Sequence, residues 1–525
     1  MTSQIKKIKF GEPLDRIAII MMLLLSVLIA LLLVFGGDSK AAKVRDFSWQ
    51  EKQIGAEDTG FILTFNRPMN HASVEKNLRI DPPLPGKFSW AGRRMAYTLI
   101  EPIPYGTTYS IQLQGATDKF HEETTQTASS ETPIKKQGGL IQPFTGFFRS
   151  RDRAFAYIGI KGEEQGRLML VNLTTEPKPI ALTPKDLVVM DFKPYPKGNK
   201  ILFSATDRSN FSNFGTSLEQ ELYTVTTGIH PRSPGEEIPK PEPVGRIDKI
   251  LDSKEYQNLK FDLSADGKII VVQRVNRRNP TGDNNPWILV EGEKPRRLEN
   301  QQGGDFLIRP DNKSMVISQK QGLAIVPLKA EADPVEFLPK FAQVLSLAPD
   351  NSAAAYVKYN TDYTRSLFVL TNQGEEQEIV RIPGSILSVQ FDPRTLKNQR
   401  VMRIYCLLTE RLKTEEYKEQ PFIAAIDLIK EKGNLIGTIK PLLILPNQID
   451  TQMSLSPDGL VLIFDQSVTA TNSTKADTPR TKGGEAIATS RLWLLPLIDI
   501  PADGSQAKLQ PEELPFAGFH PRWLP

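Results

Sequence analysis

The sequence predicts an all-β chain, most of it folded as a ring of repeated four-stranded units. Three observations carry that expectation. Apolar runs are short, about four to eight residues, rich in Val, Ile, Phe and Tyr, and bounded by turn residues; 40 prolines and 35 glycines punctuate the 525 residues. A motif recurs along the chain: an apolar residue, any residue, usually a proline, then a turn and an apolar strand. Finally, the chain ends on "GFHPRWLP" at 518–525, apolar and aromatic where most termini are polar and untied.

The bulk composition admits a packed core, with 39% apolar and 24% charged residues. The net charge is only +4, and beyond the extreme N-terminus no basic face is concentrated enough to make nucleic acid a partner. Four histidines and one cysteine leave little material for a metal site, and no metal or cofactor is expected. Cys406, inside the apolar run "VMRIYCLL", reads as a small core residue, and a single cysteine excludes an intrachain disulfide.

Residues 17–35, "IAIIMMLLLSVLIALLLVF", form an uncharged run of 19. As a helix it would span roughly 28 Å, close to the thickness of a bilayer's hydrocarbon core and beyond the usual apolar region of a signal peptide. Lys6, Lys7, Lys9 and Arg16 precede it. The expectation is a retained signal-anchor: a cytoplasmic segment at 1–16, a transmembrane helix at 17–36, and the rest of a single-pass membrane protein on the periplasmic or other extracytoplasmic side.

Residues 45–150 read as short strands separated by turns. "FNRPMNHASVEKNLRIDPPLPGKFSW" and "PYGTTYSIQLQGATD" place Pro68, Met69, Trp90, Tyr105, Gly106, Thr107, Thr108, Tyr109 and Gly115 in an order that resembles the bacterial Ig-like domain of S-layer and other envelope proteins. "FTGFF" at 144–148 would supply the last strand, and 121–139 a polar loop or insertion. The resemblance implies a β-sandwich acting as spacer or adhesive module. His71 reads as a turn residue.

From 151 to 525 the motif copies are "FKPYPKGNKILFSA", "LSADGKIIVVQRV", "IRPDNKSMVIS", "LAPDNSAAAYVKY", "FDPRTLKNQRVMRIYCLL" and "LSPDGLVLIFDQ". Each is followed by further apolar segments, giving four short strands per unit, with Asp-Gly or Asp-Asn at the first hairpin where a positive φ is wanted. Units built this way are propeller blades. "FHPRW" at 519–523 is a seventh first strand with nothing after it, while "AFAYIGI", "RLMLVNL" and "KPIAL" (154–182) are three strands lacking a first. The terminus therefore closes a seven-bladed ring, removes two exposed edges and buries Phe519 and Trp523. "LSPDG…LVLIF…RLWLLPL", complete only at Leu455–Gly459, resembles the TolB-like family of periplasmic propellers and, more loosely, WD-type repeats; the resemblance implies fold more than function.

Four long connections, at 207–220, 276–286, 409–420 and 466–490, join second to third strands and so crowd one face, with tight turns expected on the other. Within them Asn210, Phe214, Arg277, Arg278, Tyr417, Arg480 and Lys482 are candidate contact residues. Asp191 and Asp262 precede the motif in neighbouring blades and are expected to face the central channel, to hydrate it, hold a cation or act as a carboxylate pair. No nucleophile elbow, Walker loop, dinucleotide fingerprint or His-Glu-x-x-His helix occurs. The sequence thus points to a non-enzymatic, membrane-anchored platform that binds envelope proteins or cell-wall polymer. A propeller enzyme acting on envelope glycans and a ligand-binding sensor are the alternatives.

Overall fold

A computed structural model describes residues 21–27, 41–120, 139–209, 219–230, 242–298, 303–329, 336–396, 401–412, 418–431, 434–445, 451–469, 486–497 and 509–525. Among them the chain forms nine four-stranded sheets, two in the N-terminal part and seven beyond it.

The first two sheets make a sandwich. One is ordered Val44–Phe47, Gly60–Phe65, Arg94–Leu99, Gly86–Ala91, and the other Gln53–Ile54, Phe144–Ser150, Thr108–Leu113, Leu78–Asp81. Alternation fixes which side chains turn inward. In Arg94–Leu99, Met95, Tyr97 and Leu99 are buried between neighbours that are not. Trp49 centres the core, with its ring 5.4 Å from Phe61 on one sheet and 5.1 Å from Phe148 on the other. His71 opens a short helix, His71–Asn77, capped by Asn70, and stacks on Trp90 at 4.1 Å. The two-sheet arrangement is present, but nothing beyond it supports the bacterial Ig-like, S-layer-type resemblance.

The remaining seven sheets are the blades of a propeller. Their innermost strands are Gly518–Trp523 (blade 1), Leu187–Pro194 (2), Tyr256–Leu263 (3), Phe306–Ile308 (4), Gln343–Leu347 (5), Ile386–Phe391 (6) and Met453–Leu455 (7). Every blade is an antiparallel meander; in blade 1 the C-terminal strand pairs with Ala154–Gly159, so the ring closes non-covalently. Trp523 is 5% exposed, its ring packed edge-on at 5.6 Å against Phe155, and its main-chain N–H donates to the Ser454 hydroxyl of blade 7 at 3.2 Å. Phe519 is only half-buried, contrary to expectation, because it sits before the bulge that separates it from Arg522 in the ladder.

The first hairpins show why the motif has the residues it has. Gly267, Asn312, Asn351 and Gly459 each take a positive φ, from 58 to 74°. The aspartate preceding each of them accepts the N–H two residues on, as Asp311 does from Lys313 at 2.8 Å and Asp350 from Ser352 at 3.0 Å.

The transmembrane helix expected at 17–36 is corrected, and with it the single-pass topology and the placement of the bulk of the chain outside the cytoplasm. Residues 21–27 are helical, and among the described residues no helix is long and apolar enough to cross a membrane. Seven residues rise about 10 Å, a third of a hydrocarbon core. Residues 1–20 and 28–36 lie outside the described residues.

Candidate functional site

In each blade the first strand runs from one face of the ring to the other, so second-to-third-strand connections and blade-to-blade connections share a face. First hairpins and third-to-fourth-strand turns share the opposite one. The sandwich docks on the hairpin side. Asp458, in the first hairpin of blade 7, accepts the N–H of Tyr105 at 3.0 Å and an Arg153 N–H at 2.7 Å through one oxygen. Its other oxygen accepts Leu460 N–H at 3.1 Å and holds the Ser456 hydroxyl. Arg151, leading into the ring, donates to the carbonyl of Pro196 in blade 2 at 3.2 Å. Leu455–Gly459 is the complete motif copy because each polar position is used: Ser456 and Asp458 build the turn, and Asp458 also holds the sandwich. Gly459, at φ 73°, lies so close to Asp392 that a Cβ would sit 2.7 Å from its Oδ1. The hairpin face is not uniformly tight, since the third-to-fourth-strand connections 227–246 and 497–511 are long.

The channel holds a cavity of about 400 Å³ to which all seven innermost strands contribute. Asp262 is 2% exposed and lines it. Its carboxylate accepts Leu263 N–H at 2.8 Å and Ile308 N–H of blade 4 at 2.8 Å, and pairs with Lys193 of blade 2, so it stitches three blades together. Asp191 is 39% exposed and lies 3.4 Å from both His520 Nε2 and Arg522 on the closing strand. The two carboxylates therefore engage different cations rather than forming a pair. Arg522 donates through Nε to His520 Nε2 at 2.9 Å, which leaves the imidazole proton on Nδ1. His520 itself adopts φ 54°, and its N–H donates to Asp465 of blade 7 at 2.7 Å. Lys193, His520 and Arg522 escaped the sequence reading; "FHPRW" carried the signal, since it occupies the position that Asp191 and Asp262 flank in their own blades. No group of residues suited to a metal ion occurs among the described residues.

On the opposite face, Arg277 and Arg278 are exposed beside the turn after Ile269–Asn276. Arg277 Nε donates to Ser253 O at 2.8 Å, and Arg278 N–H to Asn276 Oδ1 at 2.9 Å. Asn210, Phe214, Tyr417, Arg480 and Lys482 lie outside the described residues. What sequence reasoning missed is the short connection of blade 5, "NTDYT". Tyr363 is 93% exposed there and takes φ 63°, a conformation that bulky residues avoid. A polar clamp holds it. Asp362 accepts the Thr364 hydroxyl at 2.6 Å and an Arg381 N–H at 2.6 Å, Arg381 Nε donates to Thr364 at 2.9 Å, and Tyr363 N–H donates to Asn360 O at 3.1 Å. The Thr364 hydroxyl, helped by Arg381, holds the Asp362 carboxyl down to about 2. Tyr359, Leu387, Ile444 and Val468 are exposed on the same side of blades 5, 6 and 7.

No family model and no curated protein matches this chain. Among solved structures it is similar to TolB from Acinetobacter baumannii (13% identity, TM-score 0.32), over 54% of this chain and 65% of that one, somewhat under two thirds of its length. It is also similar to a putative TolB from Agrobacterium tumefaciens (10%, TM-score 0.33; 56% and 90%). A putative 6-phosphogluconolactonase from Bacteroides uniformis is a third (10%, TM-score 0.37; 65% and 99%). The propeller assignment rests on the sheets of this chain itself.

Proposed function

We propose that this propeller is a non-catalytic, protein-binding scaffold whose working face carries the second-to-third-strand connections, opposite the sandwich. The observation that carries the reading is Tyr363, a large aromatic held fully in solvent on a strained backbone by a four-residue polar clamp. Such strain costs about 1–3 kcal/mol and persists only where surroundings impose it. An exposed tyrosine offers a partner a large contact area at low entropic cost. The channel groups support the same reading from the other side: Asp262 is consumed by the packing of three blades, and His520 and Arg522 by the closure of the ring.

Crosslinking in intact cells followed by affinity capture tests this. The wild type is expected to retain a protein that is lost when Tyr363 is replaced by serine or the 466–490 connection is shortened. An enzymatic reading would rest on Asp191. Turnover of an envelope glycan by the wild type, lost in Asp191→Asn while capture is unaltered, would replace the scaffold reading.

A further inference from the structure

We infer that this chain self-associates as a two-fold dimer through the outermost strand of blade 6, Asn434–Ile444. A sheet edge presents unpaired N–H and C=O groups, and proteins blunt such edges with shortness or charge. The outer strands of the other blades do one or the other. Ile180–Ala181, Arg296–Arg297 and Glu512–Glu513 have two residues each and Glu336–Leu338 has three. Ile247–Leu251 carries Asp248 and Lys249, and Glu376–Ile382 carries Glu376, Glu378 and Arg381.

Blade 6 has a long outer strand with no outward charge, and Pro441 and a bulge opposite Ile423 and Ala424 interrupt only its last residues. Its outer strand has 11 residues, "NLIGTIKPLLI", with one charge. That charge, Lys440, is turned into the blade, 11% exposed and 3.0 Å from Asp427. Ile436, Ile439 and Ile444 are 48%, 38% and 61% exposed. The inner edge pairs with Glu419–Glu431 along its length, and among the described residues no strand pairs with the outer edge.

A second copy of this chain is the occupant that fits. Antiparallel pairing of the strand with itself about a two-fold axis satisfies both edges at once and brings no outward-facing charges together. The edge is regular over Asn434–Lys440, before Pro441 and a bulge in the ladder; that segment is about 23 Å long and would form about six main-chain hydrogen bonds. That is the low end of what an ordinary specific interface carries. A contact this narrow belongs to the weak end of specific interfaces, so dimerisation should depend on concentration.

Sedimentation velocity on the full chain from about 1 to 100 μM is the test. The wild type should shift from one chain to two across that range, and Ile436→Lys/Ile439→Lys should remain a monomer with the wild-type melting midpoint. If the double variant fails to fold, Thr438→Lys, at an exposed position of the same strand, should weaken association at least tenfold. A wild type that stays monomeric throughout, or a dimer that survives these lysines, overturns the inference.

Discussion

Replacing Trp523 by alanine probes the ring closure, because this side chain lies on the only blade assembled from both ends of the propeller. The indole is 5% exposed and packs among Phe155, Ile463, Leu492 and Phe516, drawing blades 1 and 7 together. Truncating a buried tryptophan costs about 3–5 kcal/mol in transfer and cavity terms. Among the described residues the buried indole Nε1 has no hydrogen-bond partner, and removing it returns roughly 1 kcal/mol. The main-chain bond from residue 523 to Ser454 persists. The net loss should therefore be about 2–4 kcal/mol. Urea unfolding followed by far-UV circular dichroism reads it, with Ile180→Ala as control: Ile180 is 47% exposed on the outermost strand of the same blade and should cost under about 0.5 kcal/mol. Equal, small effects of the two substitutions would refute a ring whose stability depends on its C-terminal strand.

Other outcomes follow from single residues. Asp458→Ala should leave Tyr105 N–H and Arg153 without their acceptor, cost about 1–3 kcal/mol, and expose the 151–153 connection to limited proteolysis while the ring stays folded. Cys406 is fully buried and burial pushes its thiol up, so a thiol reagent at pH 8 should label it only as blade 6 unfolds, at a rate that rises with urea. Burial alone would raise the Asp427 carboxyl, but hydrogen bonds from Arg403 and Lys440 outweigh it and hold it below its ordinary 3.8. Its folded value being depressed, its contribution is present above pH 3.8 and lost as pH falls through the folded value. Acid titration should show Arg403→Met losing less stability than the wild type in that window.

Much of the ring was legible because its signals are local. Asp-Gly and Asp-Asn announce a positive φ and an Asx-type turn wherever they sit, and Gly267, Asn312, Asn351 and Gly459 all take it. An apolar "FHPRW" at a terminus makes sense only if something covers it, and Trp523 is covered by Phe155. What stayed hidden depends on residues far apart in sequence. Nothing near Asp458 announces that its second oxygen receives a backbone N–H from Tyr105, 353 positions away. Asp262 was expected in the channel and lines it, yet its occupation by Lys193 and Ile308 N–H comes from neighbouring blades. The apolar run at 17–35 is the opposite case: a strong composition signal that led to a membrane span the described residues do not contain. "NTDYT" read as an ordinary polar turn, because strain and exposure at Tyr363 are properties of the folded backbone alone.

The most direct measurement places a photo-crosslinking residue at Tyr363 and, in a second protein, at Glu293, an exposed position in a turn on the sandwich side of blade 3. Irradiation in intact cells should give a discrete protein adduct from position 363 and none from 293. Adducts from 293 alone, or from neither position, would contradict a scaffold that works through the face opposite its sandwich.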